Sequence, residues 1–299
     1  MLTRGALALL AAVAVLRGSS YLPTQIAREA FSPAFVVAVE IVLTVLVAGA
    51  FAAARGQVRA ALRVIRERPW PSVGLATALT GAPLLFVALA ITDVSTGMAA
   101  ILVAPAPIFG LAIGVIVGER LPWYAVVGAL VGFAGVVIAT GGGNAQSVTA
   151  VLALLAASAG YAAGARAIRT WFVDVRFEAV ALAASLPVLP LAVPLGALGL
   201  PSAAPTAGAI SALTLLGLAN IGLGLVVWCA LVRRAGAATA LLVTYLNPPV
   251  AMLLAAALAG EALSSGEALG LGVVFAGIAL TSGAVKLPRL AWTTSTSES

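Results

Sequence analysis

The 299 residues carry a formal net charge of +6, yet only 9% are charged, 62% are hydrophobic and the mean hydropathy is +1.15. A soluble domain needs about a quarter of its residues charged to cover a water-facing surface, so the composition excludes one and requires a polytopic membrane protein. Histidine is absent and Cys229 stands alone, which removes internal disulfides, serine–histidine triads and most zinc sites; no cofactor, metal or nucleic-acid partner is expected.

Crossing a hydrocarbon core of about 30 Å takes about 20 residues of helix. In chain order the apolar runs predict ten transmembrane helices, near 5–26, 33–54, 70–91, 94–117, 121–140, 148–168, 178–199, 207–230, 236–259 and 267–285. The first could pass for a signal peptide, but apolar runs continue to the end of the chain, so it reads as a first span. It holds Arg17 well inside it, and the second holds Glu40. Between the second and third, Arg55, Arg59, Arg63 and Arg66 fall at helical spacing, which predicts a short amphipathic helix against an anionic leaflet. Thr92 and Asp93 sit in a tight turn, where a charge needs no function. Pro105 and Pro107 in the fourth run and Pro248 and Pro249 in the ninth are helix breakers that free backbone carbonyls, hence candidate gating points. Gly110, Gly114 and Gly118, then Gly128 and Gly132, form stripes for close helix packing. Residues 287–299 are a polar tail.

Placing the N-terminus in the cytoplasm puts fourteen of the 16 basic residues on that side: Arg4, Arg55, Arg59, Arg63, Arg66, Arg68, Arg120, Arg166, Arg169, Arg176, Arg233, Arg234, Lys286 and Arg289. Arg28 alone falls outside and Arg17 within the membrane. Such asymmetry predicts a multi-pass protein of the cell (inner) membrane with both termini cytoplasmic. A shift of 142 residues lays 96–141 on 238–283 without a gap, with eleven identities, among them Pro107/Pro249, Gly118/Gly260, Glu119/Glu261, Gly128/Gly270 and Gly135/Gly277. Residues 1–142 and 148–286 are therefore expected to be two five-helix repeats. An odd number of spans inverts the second, the architecture of alternating-access carriers. Glu119 and Glu261 are expected to cap the helices that follow them.

"GSSYLPTQIA", "GMAAILVAPAPIFGLAIGVIVGERL" and "AATALLVTYLNPPVAMLLAAALAGEAL" resemble the EamA family of the drug/metabolite transporter superfamily over essentially the whole chain. The resemblance implies ten helices around a central cavity, spans 5 and 10 at the periphery, export of small metabolites including amino acids, and no ATP; no phosphate-binding loop is present. Arg17 stands where family members often have Trp, Glu40 near where they often have Arg, and Asn247 in place of a common Glu.

At 1.5 Å per residue, Arg17 lies roughly 14 Å and Glu40 roughly 10 Å below the outer surface. Two readings stand: a buried ion pair that locks the first two spans, or a cavity-facing Arg17 whose planar fork holds a substrate carboxylate. Proton coupling through Glu40 is disfavoured if Arg17 neighbours it. Ser20 and Thr24 share a helix face with each other, and Tyr161, Trp228, Tyr245 and Asn247 complete the candidate substrate-binding set. The expected function is a secondary transporter exporting small metabolites, amino acids first, aromatic ones included. Alternatives are a multidrug or cationic-compound exporter and, below it, a passive channel; an enzyme is not expected. Partners are the small-molecule substrate and the lipid bilayer, with a monomer the simplest assembly.

Overall fold

The structure is a computed structural model and describes residues 3–94, 96–119, 122–139, 147–201, 204–259 and 265–281. Arg120, Glu261, Lys286, Arg289 and the tail 287–299 lie outside these residues. Among the described residues every regular element is helical. The helices are α1 (Arg4–Gly18), α2 (Tyr21–Ala30), α3 (Pro33–Ala54), α4 (Val58–Glu67), α5 (Pro69–Ala90), α6 (Thr96–Val103), α7 (Ala106–Ile116), α8 (Trp123–Ala139), α9 (Val148–Trp171), α10 (Phe177–Ala183), α11 (Leu189–Ala197), α12 (Ala207–Ala235), α13 (Ala237–Leu241), α14 (Val243–Ala259) and α15 (Ser265–Thr281).

Seven stretches among the described residues are long and apolar enough to cross a membrane: Arg4–Ala30, Pro33–Ala54, Pro69–Ala90, Met98–Ile116, Val148–Trp171, Phe177–Ala197 and Ala207–Ala235. Trp123–Ile138 and Ala268–Thr281 are apolar but shorter. The chain is an all-α, multi-span membrane protein, and large apolar side chains such as Ile116, Leu191 and Leu198 point outward as lipid requires. Helix starts follow local chemistry. Thr3, Ser32, Ser147 and Thr206 each accept from the backbone N–H three residues on, and Pro33 follows its cap at the first helical position.

Several spans are interrupted, each with an identifiable cause. Between α1 and α2, Ser19 Oγ donates to Val15 O and Ser20 Oγ to Arg17 O, both at 2.7 Å, so the hydroxyls compete with the helix ladder. Between α6 and α7, Pro105 and Pro107 bring no N–H. The carbonyls left over are met from other helices: Ser158 on α9 donates to Val103 O at 2.9 Å, and Thr244 on α14 to Ala104 O at 3.0 Å. Helices α5 and α12 widen into π turns at Thr77–Gly81 and Leu216–Leu223. Gly236, at φ 89°, reverses the chain into five-residue α13, a conformation that needs glycine.

The prolines of the ninth run depart from expectation. α14 stays helical through Pro248 and Pro249, and the interruption falls at Leu242, between α13 and α14. A proline ring presses on the carbonyl four residues back, here Thr244 and Tyr245, so distortion gathers in the turn before the prolines.

Helices α8 and α15 pack antiparallel and very close. A Cβ on Gly135 would stand 2.5 Å from the Val274 nitrogen and 3.0 Å from Gly270 O, and one on Gly128 2.9 Å from Gly277 O. Elsewhere α9 lies on α5 and α7, α3 on α11 and α12, and α1 on α12 and α14. Two apolar clusters build the walls. One gathers Leu154, Ile168, Leu225 and Leu231, and the other gathers Val36, Ile41, Leu84 and Leu216.

Candidate functional site

The walls enclose a central cavity of about 60 Å³ lined from α1, α2, α3, α5, α6, α9, α12, α13 and α14. At roughly 10–15 Å³ per water it has room for a few solvent molecules. Arg17, Ser20, Thr24, Glu40, Tyr161, Trp228 and Asn247 line it together, from five separate apolar runs. Tyr21 and Thr244, which the sequence reading did not single out, join them.

Arg17 sits in the last turn of α1, where the helix dipole favours a cation. Its guanidinium carbon lies 5.7 Å from the centre of the Tyr161 ring, a cation–π contact across to α9. Glu40, 3% exposed, lines the same cavity but is not its ion partner. Ion pairs among the described residues join Arg68 to Asp174, Arg166 to Glu119 and Arg176 to Glu178, all within 4.0 Å, and none reaches Arg17 or Glu40. The locked pair considered from the sequence is therefore not formed. The reason is topological: α1 packs mainly on α12 and α14, with no comparable contact to α3 among the described residues. Matching depths brought both charges to one cavity without bringing them into contact.

Two hydroxyls of the lining are committed as donors to backbone. Thr24 Oγ1 donates to Ser20 O at 2.8 Å, and the Ser20 hydroxyl is likewise committed to Arg17 O, so each offers only lone pairs to a solute. Asn247 is 6% exposed and its Oδ1 has no protein partner. Arg17 is the one cation in the lining among the described residues, and Glu40, Asn247 Oδ1 and two hydroxyls supply acceptors to the same cavity.

Asn220, also unforeseen, holds this geometry from behind. From the π turn of α12 its Nδ2 donates to Leu16 O at 2.6 Å and to Ser19 Oγ at 2.8 Å, stapling the α1–α2 interruption beside Arg17. The signal was present in the sequence, since an amide in the middle of "LGLANIGLGL" has no water to satisfy it and must find a partner. Tyr245 lies elsewhere. Its hydroxyl donates to Ala129 O at 2.6 Å and its ring covers Gly132, so it ties α14 to α8 instead of lining the cavity. Pro105, Pro107, Pro248 and Pro249 do not line the cavity either, although Pro107 borders a second one.

That second cavity, of about 380 Å³, is lined by Glu119, Arg166, Arg169 and Thr170 among others; Arg166 and Glu119 are paired at 2.6 Å. Leu241, at the end of α13, lines both cavities. It seats against Gly110, where a Cβ would come within 2.6 Å of its Cδ1.

The profile of the EamA-like transporter family matches residues 4–141 and again 148–283. The chain belongs to the EamA-like transporter family. It is accordingly a membrane transporter and not an enzyme, as the resemblance implied. Among curated proteins it is 29% identical over 286 residues, 93% of this chain and 90% of the other, to the uncharacterized inner membrane transporter YedA of Escherichia coli. It is 32% identical over 177 residues to a probable terminal-alkyne amino-acid exporter of Streptantibioticus cattleyicolor, covering 56% of this chain and 58% of that one. A solved crystal structure of another protein superposes with a TM-score of 0.76 at 24% identity, over 92% of this chain and 96% of the other, a likeness of fold.

Proposed function

We propose that this transporter exports small zwitterionic metabolites, amino acids first among them, by alternating access around the central cavity. The observation that carries the reading is the separation of charges. The half-buried guanidinium of Arg17 and the buried carboxyl of Glu40 line one cavity, and neither forms an ion pair within 4.0 Å among the described residues. A buried charge left alone is costly, and a zwitterion satisfies both at once. Its carboxylate takes the fork of Arg17, its ammonium takes Glu40 with Asn247 Oδ1, and Tyr161 and Trp228 receive the apolar part. A purely cationic solute would leave Arg17 unmet and beside it. The similarity to the probable terminal-alkyne amino-acid exporter of Streptantibioticus cattleyicolor supports the same class.

In this reading the chain has ten spans in two inverted halves, in the inner membrane, with both termini cytoplasmic. The α8–α15 contact supports the two-fold relation. The 142-residue shift turns Gly128 into Gly270 and Gly277 into Gly135, and the contact Gly128–Gly277 has its counterpart in Gly135–Gly270. Access from the second cavity passes Leu241, carried on α13 between Gly236 and the interruption at Leu242.

The test is counterflow of labelled amino acids into proteoliposomes loaded with the unlabelled compound. Saturable, trans-stimulated exchange that Arg17→Leu abolishes while folding is retained is the expected result. Flux that rises linearly with concentration would replace the carrier with a channel, and no flux of any amino acid would remove the proposed substrate class.

A further inference from the structure

Away from the cavity, the ten-residue helix α4 presents two unlike faces. Ala61 and Val64 are buried, and α4 rests on α10 and α3. The outer face carries Arg59, Leu62, Arg63 and Arg66, all exposed, with Arg55 before the helix and Trp70 after it. Several other arginines at this end of the molecule have protein partners, whereas Arg4, Arg169 and Arg234 are exposed singly. Arg68 pairs with Asp174 at 2.7 Å, Arg176 with Glu178 at 3.1 Å, and Arg233 donates to Val173 O at 2.6 Å. Arg55, Arg59, Arg63 and Arg66 have neither an ion pair nor a hydrogen-bonded acceptor among the described residues. Between these cations stand two large apolar groups, Leu62 at 49% and Trp70 at 83% exposure.

Leucine and tryptophan in that position seek hydrocarbon, and the guanidiniums beside them offer donor forks to oxyanions. The headgroup layer of a bilayer supplies both, because tryptophan concentrates at that depth and a guanidinium binds a phosphate diester with two parallel hydrogen bonds. We propose that the outer face of α4 docks anionic phospholipid: Arg59, Arg63 and Arg66, aided by Arg55, hold the headgroup phosphates while Leu62 and Trp70 enter the acyl boundary. The site is independent of what the central cavity carries. Each arginine near an anionic surface strengthens binding roughly fivefold, so three together give on the order of a hundredfold preference over a zwitterionic lipid.

The full chain in detergent, titrated with phosphatidylglycerol or phosphatidylcholine and followed by native mass spectrometry, reads this preference directly. Wild type is expected to retain phosphatidylglycerol, and the triple variant Arg59→Gln/Arg63→Gln/Arg66→Gln to lose most of the preference. Arg4→Gln/Arg169→Gln/Arg234→Gln removes as many exposed charges elsewhere and should keep it. Folding of each variant is read independently from protection of buried Cys229 against a thiol-reactive dye. The proposal is overturned if wild type binds both lipids alike, or if the folded triple variant binds phosphatidylglycerol as wild type does. Binding of a polyglutamate peptide in preference to either lipid would also overturn it, in favour of an acidic protein partner.

Discussion

Replacing Asn220 by alanine tests how Arg17 is held. The amide makes two hydrogen bonds across a sequence separation of about two hundred residues, to Leu16 O and Ser19 Oγ, while its Oδ1 has no protein partner. Interhelical hydrogen bonds in membrane proteins contribute about 0.6 kcal/mol on average and at most about 1.7. Two of them give about 1–3 kcal/mol, and nothing is regained at the oxygen, which was already unmatched. Ser19→Ala removes one of the pair together with the hydroxyl's own bond to Val15 O, and leaves the Asn220 bond to Leu16 O in place. The double variant should fall short of the sum, because both changes delete the same contact. Cys229, the lone cysteine and fully buried, reports unfolding through its reaction with a fluorogenic dye. With the staple gone, the α1–α2 interruption loosens beside Arg17, so the apparent affinity for substrate should fall severalfold as well. An Asn220→Ala protein with wild-type stability and wild-type affinity would refute this account of how the arginine is placed.

Tyr245→Phe removes the hydroxyl from Ala129 O and should cost about 0.6–1.7 kcal/mol of stability with substrate affinity unchanged; a rise in KM without loss of stability would make it a cavity ligand after all. Gly135→Leu must push α15 off α8, since even a Cβ would meet the Val274 nitrogen at 2.5 Å. Dye-monitored unfolding should show a loss of about 1–3 kcal/mol or more, and a neutral outcome would mean the helices are not in that contact. The Arg68 hydrogen bonds hold the exposed Asp174 carboxyl below the usual carboxylate range. Its contribution is therefore present above the unfolded-state value and is lost as pH falls through the lower folded one. Asp174→Asn should flatten that acid limb of the stability profile, an effect that salt screens and that is absent if the pair is idle.

Much of the fold was legible because hydropathy and caps are local. Ser32–Pro33 announces a helix start, and the run predicted over 33–54 coincides with Pro33–Ala54. That Arg17 and Glu40 come to one level of the bundle was also legible from counting residues along a helix, and both line one cavity. Which helices are neighbours was not, and that decided whether the two charges touch. Neighbours are set by packing among many apolar faces that read alike, such as α3, apolar on every side. The same blindness hid the role of Tyr245, whose ring rests on a glycine 113 residues away in sequence. The ninth run's interruption lies six residues before Pro248, because prolines distort the residues before them and not themselves. Asn220 could have been found by asking what satisfies a buried amide, whereas its partners Leu16 O and Ser19 Oγ required the structure.

The central claim is that one cavity meets a carboxylate at Arg17 and an ammonium at Glu40. It is tested most directly by competition against labelled amino-acid counterflow, using the intact amino acid, its decarboxylated amine and its deaminated acid. Each charge-assisted contact accounts for about 1.5–3 kcal/mol, or roughly 10- to 150-fold in affinity. The account predicts that Arg17→Gln weakens the amino acid and the deaminated acid by such a factor and spares the amine, while Glu40→Gln does the reverse. Equal weakening of all three ligands by both variants, or no weakening by either, would contradict it.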